Sequence, residues 1–294
     1  MTVKKVIVIG AGPAGLAAAI QLKRYGIDTL LLEREAVGGL LRNANLVENY
    51  PGFVGGVSGI ELVRLFAAQA EQTGVHVTFG DVVKTNYADD LFWVETAERV
   101  YKSELVVVAT GTRARRLSQV VIPEDVRDRV LYEVHPLSGV KGKHVAIVGA
   151  GDAAFDYALN LIRHNQVTIL NHSDRLKCLP LLWERTQMQP NIRYLEKYSI
   201  TQVANSGKNR IQLSCRCSDG DVVLRADYLI GAIGRDPQLN FLSDEFRKQM
   251  DRLEKNGLLY LIGDVKNSIY RQTSIAVGDG VKAAMEIYQF LDSQ

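Results

Sequence analysis

Cysteine is scarce in this chain. There are three in 294 residues, Cys178, Cys215 and Cys217. An odd, sparse set excludes a disulfide framework and points to a reducing setting, so a cytoplasmic protein is expected. An excess of one charge is also missing. The 35 Lys and Arg nearly balance the 33 Asp and Glu, for a formal +2. That gives no basic field for nucleic acid and no charged face for a membrane surface. Val6 to Leu22 carries no charge and follows Lys4 and Lys5, in the manner of a signal peptide or membrane span. Gly10, Gly12, Pro13 and Gly15 break that run, and a strand, a glycine turn and a helix explain it better. About 47% of the residues are apolar and 23% charged. This suits a globular protein with a sizeable core and, at roughly 100–200 residues per domain, about two domains.

The most informative feature is a repeat. Lys5-Val6-Ile7-Val8-Ile9-Gly10-Ala11-Gly12-Pro13-Ala14-Gly15 reappears as His144-Val145-Ala146-Ile147-Val148-Gly149-Ala150-Gly151-Asp152-Ala153-Ala154, 139 positions later. That spacing is about one domain, so two related α/β nucleotide-binding folds are expected. In each copy a Val/Ile run reads as a buried parallel strand. The first glycine makes a tight turn, the second lets the backbone approach a pyrophosphate, and the small third residue lets helix and strand pack closely. The helix that follows, at Leu16–Arg24 and Phe155–Arg163, aims its free N–H groups at the phosphates.

The two copies differ at the end of their second strand. Thr29–Glu33 closes on an acid 23 positions after Gly10, placed to hydrogen-bond the hydroxyls of an adenosine ribose. Gln166–Leu170 is followed instead by Asn171-His172-Ser173-Asp174. No acid closes that strand, which weakens an NADH reading, and no arginine pair follows, which weakens NADPH. His172 and Lys177 are candidates for a 2′-phosphate, or are ordinary loop residues. A dinucleotide is expected here, without a choice between NADPH and NADH.

Five further segments carry a resemblance: Gly38-Gly39-Leu40 with Glu48-Asn49-Tyr50-Pro51-Gly52; Ala109-Thr110-Gly111 after Leu105–Val108; Gly231-Ala232-Ile233-Gly234-Arg235; Leu261-Ile262-Gly263-Asp264; and Arg271-Gln272-Thr273. In this order they resemble the low-molecular-weight thioredoxin reductase-like flavoproteins, with Leu40 where glutamine is usual. The resemblance implies two Rossmann-like domains in a three-layer ββα arrangement. An NAD(P)-type domain (114–239) would be inserted into a split FAD domain (1–113 and 240–294). It implies FAD contacts from Gly10, Gly12, Pro13, Ala14, Gly15, Glu33, Arg34, Gly38, Gly39, Leu40, Asn49, Val82, Ala109, Thr110, Gly111, Gly263, Asp264, Arg271, Gln272 and Thr273. For the nicotinamide nucleotide it implies Gly149, Gly151, Asp152, Ala153, Ala154, His172, Lys177 and Gly234. The start of the last helix, Ile275 to Leu291, would place partial positive charge at the flavin. A homodimer is implied as well.

The chain departs from thioredoxin reductases where they carry Cys-x-x-Cys, upstream of the second glycine motif. The window here is Tyr132-Glu133-Val134-His135. Cys215 and Cys217 lie two apart in an expected strand, Arg210–Arg216, and are badly placed to close a disulfide. Cys178 is a lone thiol near the expected nucleotide site. The missing dithiol brings the chain closer to the thioredoxin-reductase-like ferredoxin–NADP reductases. Their arginine clamp is absent, and their flavin-covering C-terminal tail is not expected after Gln294. The implied activity is electron exchange between a nicotinamide nucleotide and an external carrier (ferredoxin, flavodoxin or another small redox protein), with the flavin as the redox centre. His135 is the one side chain proposed to approach it. Arg113, Arg115 and Arg116 read as a solvated face or a carrier-docking patch. Two alternatives stay open: a flavoprotein fed by another donor beside a degenerate nucleotide site, and a non-catalytic nucleotide sensor.

Overall fold

The computed structural model describes residues 3–207 and 209–293. The chain forms two compact units. The first comprises Met1–Arg42, Val47–Arg113 and Pro237–Gln294; the second comprises Asn43–Leu46 and Ala114–Asp236. The α-helices, in chain order, are α1 (Pro13–Arg24), α2 (Gly59–Gln72), α3 (Asp152–Leu161), α4 (Pro180–Gln187), α5 (Asp244–Lys255) and α6 (Thr273–Asp292). Among the described residues no helix is long and apolar enough to cross a membrane.

The first unit is built on one sheet. Val77–Phe79, Thr29–Glu33, Val3–Ile9 and Val100–Val108 lie side by side and parallel, and Leu259–Leu261 also pairs with Val100–Val108. The hairpin Val82–Ala88 and Leu91–Thr96 continues the sheet antiparallel. Val6, Ile7, Val8 and Leu105–Val108 are wholly buried, because both faces of these strands are covered. Alternation sends Val6, Val8, Leu105 and Val107 into a core with α1 and α6. It sends Ile7, Ile9, Val106 and Val108 into a second core with the hairpin and α5. This is why the central strands read as continuous apolar runs.

The second unit repeats the plan. Ile192–Leu195, Gln166–Leu170, His144–Val148, Tyr228–Gly231 and Val130–Leu131 form a parallel sheet. Val145, Ile147, Val167 and Ile169 pack toward α3 and the partly buried Trp183 of α4. Ala146 and Leu170 pack toward the antiparallel sheet Ser199–Asn205, Ile211–Cys217 and Gly220–Ala226.

Several local expectations are adjusted. The helix expected to reach Arg163 stops at Leu161, where Asn165 Nδ2 donates to the Leu161 carbonyl at 3.0 Å and breaks the ladder. The strand expected from Arg210 starts at Ile211, since the Arg210 N–H is taken by a turn to Gly207. The last helix begins at Thr273, two residues before the expected Ile275. Residues 237–239 group with the first unit and 43–46 with the second. The reason for the latter is the set of hydrogen bonds described below.

Helices α1 and α6 meet through small residues. A Cβ on the buried Gly280 would lie 2.2 Å from the Ala14 carbonyl oxygen and 2.9 Å from the Ala18 nitrogen. Both are backbone atoms, which cannot move aside cheaply. Gly278, in the same helix, faces open space. Gly280→Ala is therefore expected to destabilise by about 1–3 kcal/mol through overpacking. Gly278→Ala is expected to be neutral or stabilising by up to about 1 kcal/mol, through helix propensity alone. Paired thermal melts of the two variants check this.

Candidate functional site

The strand Val3–Ile9 ends in Gly10, whose φ is +104°. A Cβ there would lie 2.5 Å from the Ala109 carbonyl oxygen, and one on Gly15 would lie 1.8 Å from that of Gly10. These two positions require glycine for opposite reasons to Gly12, where an added Cβ would meet nothing within 4 Å. Helix α1 starts at this open face with Pro13 first, no side-chain cap and no acid in its first turn. Its free N–H groups and positive dipole end are left for an anion. The Glu33 carboxylate is fixed beside the turn: Oε2 accepts from Ala11 N at 2.8 Å and Oε1 from Glu35 N at 2.9 Å.

Other segments converge on the same turn. Gly38 N donates to Ala11 O at 2.8 Å. A Cβ on Gly39 would lie 3.4 Å from Gly12 Cα, and one on Gly263 would lie 2.8 Å from Ala14 Cβ. Asp264 follows in the short 3₁₀ turn Gly263–Val265. Asn49 Nδ2 donates to Gln272 Oε1 at 2.8 Å, and Ser274 Oγ to Asn49 O at 3.2 Å, which brings the 48–52 loop to the start of α6. Thr273 opens α6 without a side-chain cap; Arg271, two residues before it, is half-buried, as is Leu40 after Gly39. The sequence reading missed Asp279. Its Oδ2 accepts from Gly263 N at 3.0 Å and Asn267 Nδ2 at 2.6 Å, and so shapes the closing turn. No local pattern marks an acid in mid-helix for that role.

Some predicted residues are otherwise engaged. Val82 packs its side chain into the core, so only its main chain is left for a ligand. The Thr110 hydroxyl donates to Gln238 O at 2.6 Å, and Gln238 N to Gly111 O at 3.0 Å; these groups hold the returning chain. Arg34 is exposed and pairs with Glu35 at 3.4 Å. Arg115 N donates to Gly234 O, while its side chain pairs with Asp236 at 2.8 Å. Arg116 lies over the Tyr132 ring. Of the three-arginine cluster, two are thus spent inside their own unit.

The second glycine turn repeats the first. Gly149 has φ +145°, and a Cβ would meet the Ala232 carbonyl oxygen at 2.3 Å, whereas Gly151 faces open space. Helix α3 begins here, with Ala153 and Ala154 in its first turn and no side-chain cap. Asp152 puts a carboxylate at this end, but Oδ1 is drawn aside to accept from Leu179 N at 2.8 Å. Lys177 N donates to Ala150 O at 3.0 Å. The exposed His172 and Lys177, together with Arg175, which the sequence reading passed over, supply basic groups on the loop beside the turn. Asn171, standing where an acid was sought, is 1% exposed. Its amide donates to Arg175 O and Tyr194 Oη and accepts from Ser173 N. It orders the loop rather than presenting itself to a ribose.

The window without the dithiol is built around Glu133. Its Oε2 accepts from Asn43 Nδ2 at 2.8 Å and Tyr157 Oη at 3.0 Å, and its Oε1 from Arg235 Nη1 at 2.6 Å. Burial and the Glu133 charge push the Tyr157 hydroxyl above its ordinary range. His135 N donates to Asn43 Oδ1 at 3.0 Å, and Asn45 N to Asp156 Oδ2 at 2.9 Å. These bonds hold Asn43–Leu46 in the second unit. The Nδ1 atom of His135 is buried without a hydrogen-bond partner among the described residues. All three cysteines are free. Burial pushes the thiol of Cys215 up to about 11 and raises that of Cys178, which opposes the thiolate that redox exchange needs.

Two open glycine turns at uncapped helix starts, one with a carboxylate fixed beside it, fit a pair of dinucleotides and define a class. The profile described as pyridine nucleotide-disulphide oxidoreductase matches residues 4–280, and the chain belongs to that family. Within it the chain is thioredoxin reductase-like, an FAD-dependent NAD(P)H oxidoreductase. It is 31% identical to a thioredoxin reductase of Streptomyces coelicolor, over 98% of this chain and 94% of that protein. It is 29% identical to a 34.2 kDa protein in the rubredoxin operon of Clostridium pasteurianum, over 97% and 96%. The crystal structure of Lactococcus lactis thioredoxin reductase in its FR conformation aligns with TM-score 0.86 at 27% identity, covering 99% of this chain and 100% of that one.

Burial raises the Asp156 carboxyl to about 6, partly offset by the N–H groups of Asn45 and Leu46. A carboxyl with a raised folded-state pKa favours the folded state at low pH, and that contribution is lost as pH rises through the folded value. Wild-type stability relative to Asp156→Asn is therefore expected to fall between about pH 4 and pH 6, by at most about 3 kcal/mol. Denaturant melts of both proteins across that range check the sign; a difference that is flat or rises with pH contradicts it.

Proposed function

We propose that this protein passes electrons from a nicotinamide nucleotide to an external small redox protein, with FAD as its sole redox centre and no dithiol of its own. The observation that carries this reading is the fate of residues 132–135. The window is occupied by a carboxylate bonded to three side chains, and the thiols of Cys178 and Cys215 are raised by burial. FAD, when bound, supplies a group that takes up two electrons together and releases them singly.

The residues divide that work. Gly10, Gly12 and Gly15 with the N-terminus of α1 would seat the pyrophosphate, Glu33 the adenosine ribose, and Asp264 the chain linking ribityl and phosphate. The uncapped start of α6 places partial positive charge beside Asn49 and Gln272, where it favours negative charge on a neighbouring ring system. Gly149 and Gly151 with the start of α3 would hold the nicotinamide nucleotide. His172, Arg175 and Lys177 would meet a 2′-phosphate, which favours NADPH over NADH. No side chain needs to act as a base, since hydride transfer requires alignment alone. For the acceptor, a small redox protein is supported by the Clostridium pasteurianum relative, which is a protein of a rubredoxin operon.

The test is an anaerobic titration of the yellow, FAD-loaded protein. NADPH is expected to bleach the flavin, and turnover with an artificial one-electron acceptor is expected to survive in the Cys178→Ser/Cys215→Ser/Cys217→Ser variant within about twofold, since no thiol takes part. A folded, FAD-loaded triple variant that lost turnover would overturn the proposal. Absence of bleaching by either nucleotide would favour a donor-fed flavoprotein.

A further inference from the structure

A cleft of about 430 Å³ opens in the second unit at the end of the parallel sheet opposite the glycine turn. His144 starts the central strand at the cleft, and Gly149 follows that strand's other end, about 16 Å away at the usual rise per residue. The cleft is therefore separate from the nucleotide site. Its walls include Lys143, Arg163 and Arg210, with Asp227 as the single acid and His164 on the exposed rim. His144 is a neutral wall: its Nε2 lies 2.8 Å from Thr168 Oγ1, and burial holds its pKa below the ordinary value.

The cations outnumber the acid here. Asp227 spends Oδ2 on His144 N at 2.8 Å. Its Oδ1 stands 3.9 Å from Lys143 Nζ and 3.9 Å from Arg210 Nε, too far to accept a hydrogen bond from either. Arg210 Nε is buried and has no hydrogen-bond partner among the described residues. The Arg210 side chain as a whole is 41% exposed, so its guanidinium is within reach of an anion in the cleft. Three full cations against one carboxylate leave an excess of two positive charges, and the volume lies in the range of small-molecule sites.

We infer that this cleft binds a small phosphate-bearing metabolite carrying at least two negative charges, held by Lys143, Arg163 and Arg210. Arginine and lysine donors match phosphate oxygens, and the concave wall favours a compact ligand over an extended acidic chain.

Inorganic pyrophosphate is the probe, titrated calorimetrically into the FAD-loaded protein at constant ionic strength, with sodium chloride as the control. Saturable binding is expected at millimolar pyrophosphate or below, weakened roughly tenfold or more in Lys143→Gln/Arg210→Gln. Arg163→Glu changes only the exposed rim and is expected to weaken binding severalfold, so it decides the matter if the double variant does not fold. Absence of saturable binding overturns the inference. So does equal affinity in wild type and both variants, which would place pyrophosphate at the glycine turns. Bleaching of the flavin by NADPH is expected to be unchanged in Arg163→Glu, which separates this site from the proposed electron transfer.

Discussion

The first unit depends on how closely its polypeptide backbones approach around the opening turns of α1. On one side Gly10 and Gly15 bring strand and helix within distances that a single extra carbon would forbid. On the other, Gly280 and Gly263 bring α6 and the closing turn against Ala14. The consequence is electrostatic as well as steric. With no side chain on Gly12 and no cap on α1, the main-chain donors at its start are left for an anion. Close packing and an open helix start follow from the same missing side chains.

The second unit uses the same glycine geometry but changes what lies beside it. Glu133 is a half-buried carboxylate with donors from an asparagine, a tyrosine and an arginine. A carboxylate supplied in this way is stable in place, whereas removing one partner would leave charge uncompensated. It cannot exchange electrons with a flavin or a disulfide. One of its bonds instead helps to fix Asn43–Leu46, with Asp156 adding two more from the main chain of that segment. In this chain the window Tyr132–His135 is part of the scaffold.

Much of this was legible before any coordinates. Glycine at a positive φ and glycine at an open helix start are demands made by the local backbone, so Gly10, Gly12, Gly149 and Gly151 betray themselves by spacing. The strands Thr29–Glu33 and Gln166–Leu170 were readable to the residue, since a strand covered on both faces is a continuous apolar run. That residues 132–135 hold no cysteine was visible by simple inspection, and motif order carried the family.

Tertiary structure alone decided the rest, because it depends on groups that meet across long sequence separations without a period to reveal them. Nothing in mid-helix marks Asp279 as the acid that shapes the Gly263 turn, or Gly280 as a contact rather than a weak helix residue. Asn171 looks like a missing acid in sequence and proves to be a buried organiser of its loop. The side chains of Lys143, Arg163, Arg210 and Asp227 come from four separate connecting segments and share a cleft only when the sheet is assembled. Local backbone requirements are written in the chain; the meeting of distant charges is written only in the fold.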